Sequence, residues 1–211
     1  YAVEYEVAKS AWTGHAMPLS ERAKNLLERL ALVLRDDVPI VLIGHSMGGL
    51  QVKQMFKSAA MPGVPHEWTG LMSRVRAVVF FGTPHQGSSL ASLAISLPRL
   101  LVRPTEAMED LQLHAPVLRE LDEYFRNAID PNKIRIASFF ETRKSCRAGP
   151  LGWLLRSIVV DKDSADPKLA GVIPIPIDGD HSSICKCKSR NDQAYGRVLE
   201  MIQAITQGKS V

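Results

Sequence analysis

The run Val-Leu-Ile-Gly-His-Ser-Met-Gly-Gly at positions 41–49 decides the fold class of this chain. Its first part belongs to a short, continuously apolar stretch, which is typical of a parallel strand buried on both faces. The strand passes directly into Gly-x-Ser-x-Gly, in which Gly44 and Gly48 flank Ser46. Glycines at these two positions leave room for a sharp turn from a strand into a helix. The run therefore predicts a strand, a strained turn at Ser46 and a helix over 47–57.

The rest of the chain alternates between the same two kinds of element. Apolar strands are predicted at 76–81 and 134–140, and amphipathic helices at 20–35 and 192–207. Strands that alternate with helices predict an α/β fold with a mostly parallel sheet flanked by helices.

Three further segments complete this prediction. Glycine and proline predict a loop at 60–73, a short strand is expected at 158–160, and a polar, proline-rich loop is expected to lead to Asp178.

The length of 211 residues suits one domain over 1–211, with a small embedded cap. The cap is predicted at about 88–129, where proline-broken helical pieces lie between two core strands. Plain helix packing is the alternative for this segment. Hydrophobic residues make up 45% of the chain and charged residues 23%, as in an ordinary globular protein.

Composition also restricts the partners. The net charge is +4, and no basic block is interleaved with aromatic residues, so we expect no nucleic-acid partner. The three cysteines are too few for a disulfide framework, and the spacing of Cys185 and Cys187 does not suit zinc. We expect reduced thiols, an intracellular location, and neither a metal nor a cofactor. No apolar run reaches the roughly 18 residues of a membrane-spanning helix.

Ser46 is the candidate nucleophile. The predicted turn puts it at the N-terminus of a helix, where backbone N–H groups favour developing negative charge. The N–H of Met47 is the predicted oxyanion donor. A serine hydroxyl is a poor nucleophile unless a neighbouring base takes its proton, so the sequence must also supply a base.

The candidate base is His181. Hydrolases with this type of turn place their partners in the order serine, acid, histidine. His181 alone among the six histidines follows all the predicted core strands; the others are His15, His45, His66, His85 and His114. His85 precedes any plausible acid, and His45 lies inside the turn, with its side chain expected to point away from Ser46.

The candidate acid is Glu141, which directly follows the predicted strand at 134–140. It therefore lies at the carboxyl end of a strand, the edge that holds ligand sites in open α/β sheets. Asp161 follows the next predicted strand and is the alternative. Asp180 fits poorly, because side chains of neighbouring residues diverge.

Taken together, several motifs resemble the serine active site containing protein family, a lipase-like family related to α/β-hydrolases of the GPI inositol-deacylase type. They occur in this order, nearly from end to end of the chain: GHSMGGL (44–50), VVFFGTPHQGS (78–88), FFET (139–142), DSAD (163–166) and DHSSICK (180–186).

This resemblance implies the α/β-hydrolase fold and a serine-dependent acyl-ester hydrolase or acyltransferase that acts on lipids. It implies phospholipid remodelling, notably of phosphatidylglycerol, a link to sterol handling, and a location at mitochondrial or endoplasmic-reticulum membranes. Any membrane association is expected to lie in segments outside this chain. The family motifs place the serine at Ser46, the histidine at His181 and the acid at Glu141.

The chain departs from the family pattern at its start. Such hydrolases carry an upstream strand that ends in a His-Gly-Leu-Gly-like loop, which supplies a second oxyanion donor. No such loop precedes Ser46, so we expect the N-terminal strands to be missing. Losing one donor lowers turnover by about 10²–10³. A catalytically impaired interaction module with this fold is therefore an alternative, and a peptidase or thioesterase on the same scaffold is another.

Overall fold

The computed structural model describes residues 17–34, 37–85, 115–146 and 156–208. Helices and strands alternate over most of these ranges. In chain order they are α1 (Leu19–Val33), β1 (Ile40–His45), α2 (Met47–Ala59), α3 (His66–Ser73), β2 (Val75–Phe81), α4 (Ala115–Ala128), β3 (Arg135–Glu141), β4 (Ser145–Cys146), β5 (Arg156–Ser157), β6 (Ile175–Ile177) and α5 (Gln193–Thr206).

The main sheet has the strand order β1-β2-β3-β6, and each neighbouring pair is parallel. Strands β4 and β5 form a separate, short antiparallel pair. The predicted α/β architecture with a mostly parallel sheet is thus confirmed. Because all four strands run the same way, their carboxyl ends meet at one edge, where such sheets hold their sites.

Apolar side chains from β2 alternate between the two faces of the sheet. Val78 and Phe80 pack into a cluster with residues of α1, α2, α3 and α4. Val79 and Phe81 pack on the opposite face, against residues of α5. Helices therefore cover both faces of the sheet, which explains why β2 is apolar from Ala77 to Phe81.

Helix α4 falls inside the range predicted as a cap. Its residues Leu121 and Phe125 are buried, and the Phe125 ring lies edge-on to Phe80 of the sheet at a centroid distance of 5.8 Å. Asp122 forms a buried ion pair with Lys53 of α2. This end of the predicted insertion thus belongs to the helical layer on the sheet, whereas residues 88–114 lie outside the described ranges.

Three local predictions were wrong. The expected loop at 60–73 contains α3. Glycine and proline in this segment had indicated a loop, but Trp68, Leu71 and Met72 bury one face of a helix there. The proline-rich loop before Asp178 contains β6, which pairs with β3. Residues 158–160 form no strand, since the backbone N–H groups of Val159 and Val160 donate to a carboxylate instead of a strand ladder.

None of the helices within the described ranges has the length and apolar character needed to cross a membrane.

Candidate active site

Ser46 adopts a strained backbone conformation at the turn between β1 and α2. Its φ is 56° and its ψ is −125°, a region that residues other than glycine rarely occupy and that often marks functional sites. The turn is held by the Ser46 N–H, which donates to the Phe81 carbonyl at 2.8 Å. The predicted strand–turn–helix is therefore present, with the serine at its apex.

Two glycines let α2 begin close to the sheet. A Cβ on Gly44 would lie 2.6 Å from the Cα of Gly49, so a side chain there would force strand and helix apart. A Cβ on Gly49 would lie 2.1 Å from Oγ1 of the buried Thr83. The sequence indicated the first glycine, but the need for Gly49 becomes visible only from its contact with the loop after β2.

The structure brings the three predicted side chains together. Ser46 Oγ lies 2.9 Å from His181 Nε2, so the hydroxyl can donate to the imidazole. On the other side of the ring, Nδ1 lies 3.3 Å and 3.4 Å from the two carboxylate oxygens of Glu141. All three residues are buried. Charge interactions are stronger in such a setting than at a solvated surface.

Glu141 is fixed by the backbone of the loop that follows β5. Its Oε1 accepts hydrogen bonds from the N–H groups of Val159, at 2.9 Å, and Val160, at 2.7 Å. The alternative acid, Asp161, has a different role, because its Oδ1 accepts from the N–H of Ser164 at 2.8 Å and closes a turn. Of the two candidates, Glu141 is the one beside His181.

Gly82 makes room for the histidine–carboxylate pair. It follows β2 with a φ of +51°, which a residue with a side chain adopts only with strain. A Cβ here would lie 3.1 Å from Nδ1 of His181 and 3.2 Å from Oε2 of Glu141. The position of a glycine directly after a core strand was the only signal for this role in the sequence.

The loop that carries His181 is aligned by β6. The Thr142 N–H donates to the Ile177 carbonyl at 3.1 Å, and the Arg143 N–H donates to the Gly179 carbonyl at 3.0 Å. These bonds continue the β3–β6 pairing beyond Glu141. They place the histidine loop beside the strand that carries the acid, which is why the unforeseen strand β6 matters for the site.

The other described histidines have different surroundings. The His66 side chain is almost fully exposed on α3. His85 is fully buried with its ring edge-on to Phe80, and burial, followed by the charge of Lys53, lowers its pKa well below the ordinary value. His45 contacts His181, a role that the sequence did not indicate. His15 and His114 lie outside the described ranges.

Met47, the predicted oxyanion donor, is the first residue of α2. N–H groups in the first turn of a helix have no acceptor within that helix, so they are free to face a ligand. The position suits the predicted role, which stays a prediction.

Solved structures share this architecture. A lipase of Bacillus licheniformis, BlEst2, superposes with a TM-score of 0.59 at 18% identity, covering 86% of this chain and 74% of the lipase. A carboxylesterase structure of Nitrososphaera gargenis gives a TM-score of 0.51 at 12% identity, covering 93% and 75% of the two chains. The chain has the α/β-hydrolase fold. At these identities the likeness establishes the fold alone.

Curated relatives carry the name Protein SERAC1. The protein of Danio rerio is 30% identical over 217 residues, which cover all of this chain and 31% of the relative. That of Bos taurus is 31% identical over 206 residues, covering 96% and 30% of the two chains. This chain therefore spans less than a third of the length of these relatives. No protein-family model matches it.

Proposed function

We propose that this chain is a serine-dependent acyl-ester hydrolase or acyltransferase. The observation that carries the proposal is the continuous contact from Ser46 through His181 to Glu141, buried at the carboxyl edge of the sheet. Serine is activated by this arrangement, in which the nucleophile contacts a base and the base contacts a carboxylate that orients it.

The proposed reaction has two halves. Ser46 Oγ attacks the ester carbonyl while its proton passes to His181 Nε2, and the resulting tetrahedral intermediate carries an oxyanion. The C–O bond to the leaving alcohol then breaks as His181 returns the proton to that alcohol, which leaves an acyl group on Ser46. Water or a second alcohol attacks the acyl-serine in the same way and releases an acid or a new ester.

In this proposal, Glu141 sets the tautomer of His181. A carboxylate at Nδ1 keeps a proton on that nitrogen, so Nε2 is left free to accept the proton of Ser46. The carboxylate also stabilises the imidazolium that forms after the transfer. Because the N–H groups of Val159 and Val160 both donate to its Oε1, Glu141 has little freedom to turn away.

In this proposal, Met47 stabilises the oxyanion. Its N–H opens α2, and the aligned peptide dipoles of a helix place partial positive charge at that end. Each well-placed donor at an oxyanion contributes about 10²–10³ in turnover.

We further propose that the substrates are lipid esters. The resemblance of the sequence motifs to a lipase-like family supports this substrate class, and the fold shared with a bacterial lipase is consistent with it. Phosphatidylglycerol remodelling, and a location at mitochondrial or endoplasmic-reticulum membranes, rest on the same resemblance.

A fluorophosphonate probe tests the nucleophile directly, because it phosphonylates an activated serine. The native protein should be labelled, and Ser46→Ala should abolish labelling. The matched control is Ser182→Ala, which removes an exposed hydroxyl next to His181 and should leave labelling unchanged. An intact, folded protein that takes up no probe would contradict the enzyme proposal and favour the interaction module.

Phosphatidylglycerol vesicles then test the lipid proposal. We expect the native protein to release fatty acid, or to form a new ester when glycerol is supplied, and Ser46→Ala to do neither. If the protein is labelled and cleaves p-nitrophenyl butyrate but leaves the vesicles intact, the nucleophile stands and the lipid substrate is wrong.

A further inference from the structure

His45, the last residue of β1, makes a specific contact with the proposed base. Its Nε2 lies 2.7 Å from the backbone carbonyl oxygen of His181. A carbonyl oxygen only accepts hydrogen bonds, so His45 must carry a proton on Nε2. The two imidazole rings also lie against each other, with centroids 5.0 Å apart and a tilt of 40°.

This contact completes the fixation of the His181 main chain. The His181 N–H donates to Ser145 Oγ at 3.1 Å, and its carbonyl accepts from His45. The backbone N–H and the backbone carbonyl of His181 are therefore both held by side chains from other segments. Since His45 is also the neighbour of Ser46, the bond connects the histidine loop directly to the strand that positions the nucleophile.

We propose that His45 is a positioning residue, whose Nε2–H holds the His181 carbonyl and so sets the imidazole against Ser46 Oγ. The inference rests on the proposed function, in which His181 is the base. A displacement of about 1 Å between reacting groups can lower a rate by about 10². One hydrogen bond that prevents such a shift can therefore have a large effect on the reaction.

The charge state of His45 is suited to this role. Burial, and then the neighbouring His181, lower the pKa of His45, whereas its hydrogen bond to the His181 carbonyl and the carboxylate of Glu141 oppose that shift. Lys186, from the same loop as His181, lowers the pKa further. A neutral His45 donates to the carbonyl without placing a second positive charge beside the imidazolium that forms on His181.

Two substitutions separate the hydrogen bond from simple packing. His45→Leu fills a similar space without a donor, whereas the amide nitrogen of His45→Gln reaches the place of Nε2. We expect the rate of fluorophosphonate labelling to fall about 10- to 100-fold in the leucine variant and to return to near the native rate in the glutamine variant. Labelling of the leucine variant at the native rate would overturn the inference, as would a glutamine variant that is folded but equally slow.

Nitrogen-15 spectra of the histidine rings supply a readout that needs no activity. In the native protein, His45 should be the Nε2–H tautomer, and the ring signals of His181 should shift in His45→Leu but not in His45→Gln. A native His45 protonated only on Nδ1 overturns the inference, even if the leucine variant fails to fold. Failure of the native protein to label, with these spectra as expected, would refute the proposed function and leave the positioning contact intact.

Discussion

Replacing Glu141 with glutamine should inactivate Ser46 by reversing the tautomer of His181. Oε1 of Glu141 accepts from the N–H groups of Val159 and Val160, and an amide can satisfy both only with its carbonyl oxygen. The NH₂ group of the glutamine then takes the place of Oε2, 3.4 Å from His181 Nδ1, while the amide oxygen at the place of Oε1 lies 3.3 Å from the same nitrogen. Because an NH₂ group beside Nδ1 disfavours a proton on that nitrogen, we expect the ring proton to move to Nε2, which can then no longer take the proton of Ser46.

The two backbone N–H donors to Oε1 determine which way the amide of the glutamine turns. Turning the amide the other way would leave the two buried N–H donors facing an NH₂ group, at a cost of about 1–3 kcal/mol for each. The inactive orientation should therefore dominate. The equivalent acid-to-amide change in a serine protease, which also leaves the wrong tautomer, lowers turnover about 10⁴-fold. At 1.36 kcal/mol per tenfold, this corresponds to about 5.5 kcal/mol of lost transition-state stabilisation.

The assay compares native protein, Glu141→Gln and Asp161→Asn by the rate of fluorophosphonate labelling and by hydrolysis of p-nitrophenyl butyrate. Thermal unfolding of each variant shows that it is folded. Asp161→Asn is the matched control, because Asp161 accepts from the Ser164 N–H rather than facing His181. A glutamine variant within tenfold of the native rate would contradict the predicted change of tautomer, and so would an Asp161→Asn variant that is the slower of the two.

Gly82→Ala should slow fluorophosphonate labelling at least tenfold, because a Cβ crowds the His181 ring. Alanine is also strained at the positive φ of this position, so the free energy of unfolding should fall by about 1–2 kcal/mol. Labelling at the native rate would contradict this prediction. Asp122→Leu should lower that free energy by about 3–5 kcal/mol in urea unfolding, because it leaves the Lys53 ammonium buried and unpaired. The double variant Lys53→Met/Asp122→Leu should recover most of the loss, and a double variant as unstable as the single one would count against the explanation. Burial lowers the pKa of Lys53 from 10.5 to about 8, so the folded protein binds fewer protons than the unfolded chain between these values. The free energy of unfolding of the native protein, minus that of the double variant, should therefore rise with pH across that window. A difference that stays flat or falls would contradict a Lys53 pKa lowered by burial.

Elements with strong local patterns could be predicted from the sequence. The apolar strands β1, β2 and β3 and the amphipathic helices α1 and α5 lie within a few residues of their predicted positions. Helix α3 and strand β6 were missed because their stability depends on distant partners. The buried face of α3 packs into the cluster shared with α1 and α2, and the three residues of β6 form a strand by pairing with β3.

The candidate site likewise has residues that could be predicted from the sequence and residues that could not. Ser46, His181 and Glu141 could be proposed from a turn motif, from chain order and from a strand end. The groups that hold them could not. Gly82, His45 and the N–H groups of Val159 and Val160 carry no signature of their own, because their roles depend on which atoms they meet after folding.

Local patterns in the sequence are therefore enough to predict the class of sheet and the strained turn at Ser46, since both follow from local sterics and the periodicity of apolar residues. Which of the two carboxylates lies beside His181 is seen only in the folded protein. That choice depends on the pairing of β3 with β6 and on the loop that turns two backbone N–H groups toward Glu141. Contacts between segments far apart in the chain decide it, and local patterns do not encode such contacts.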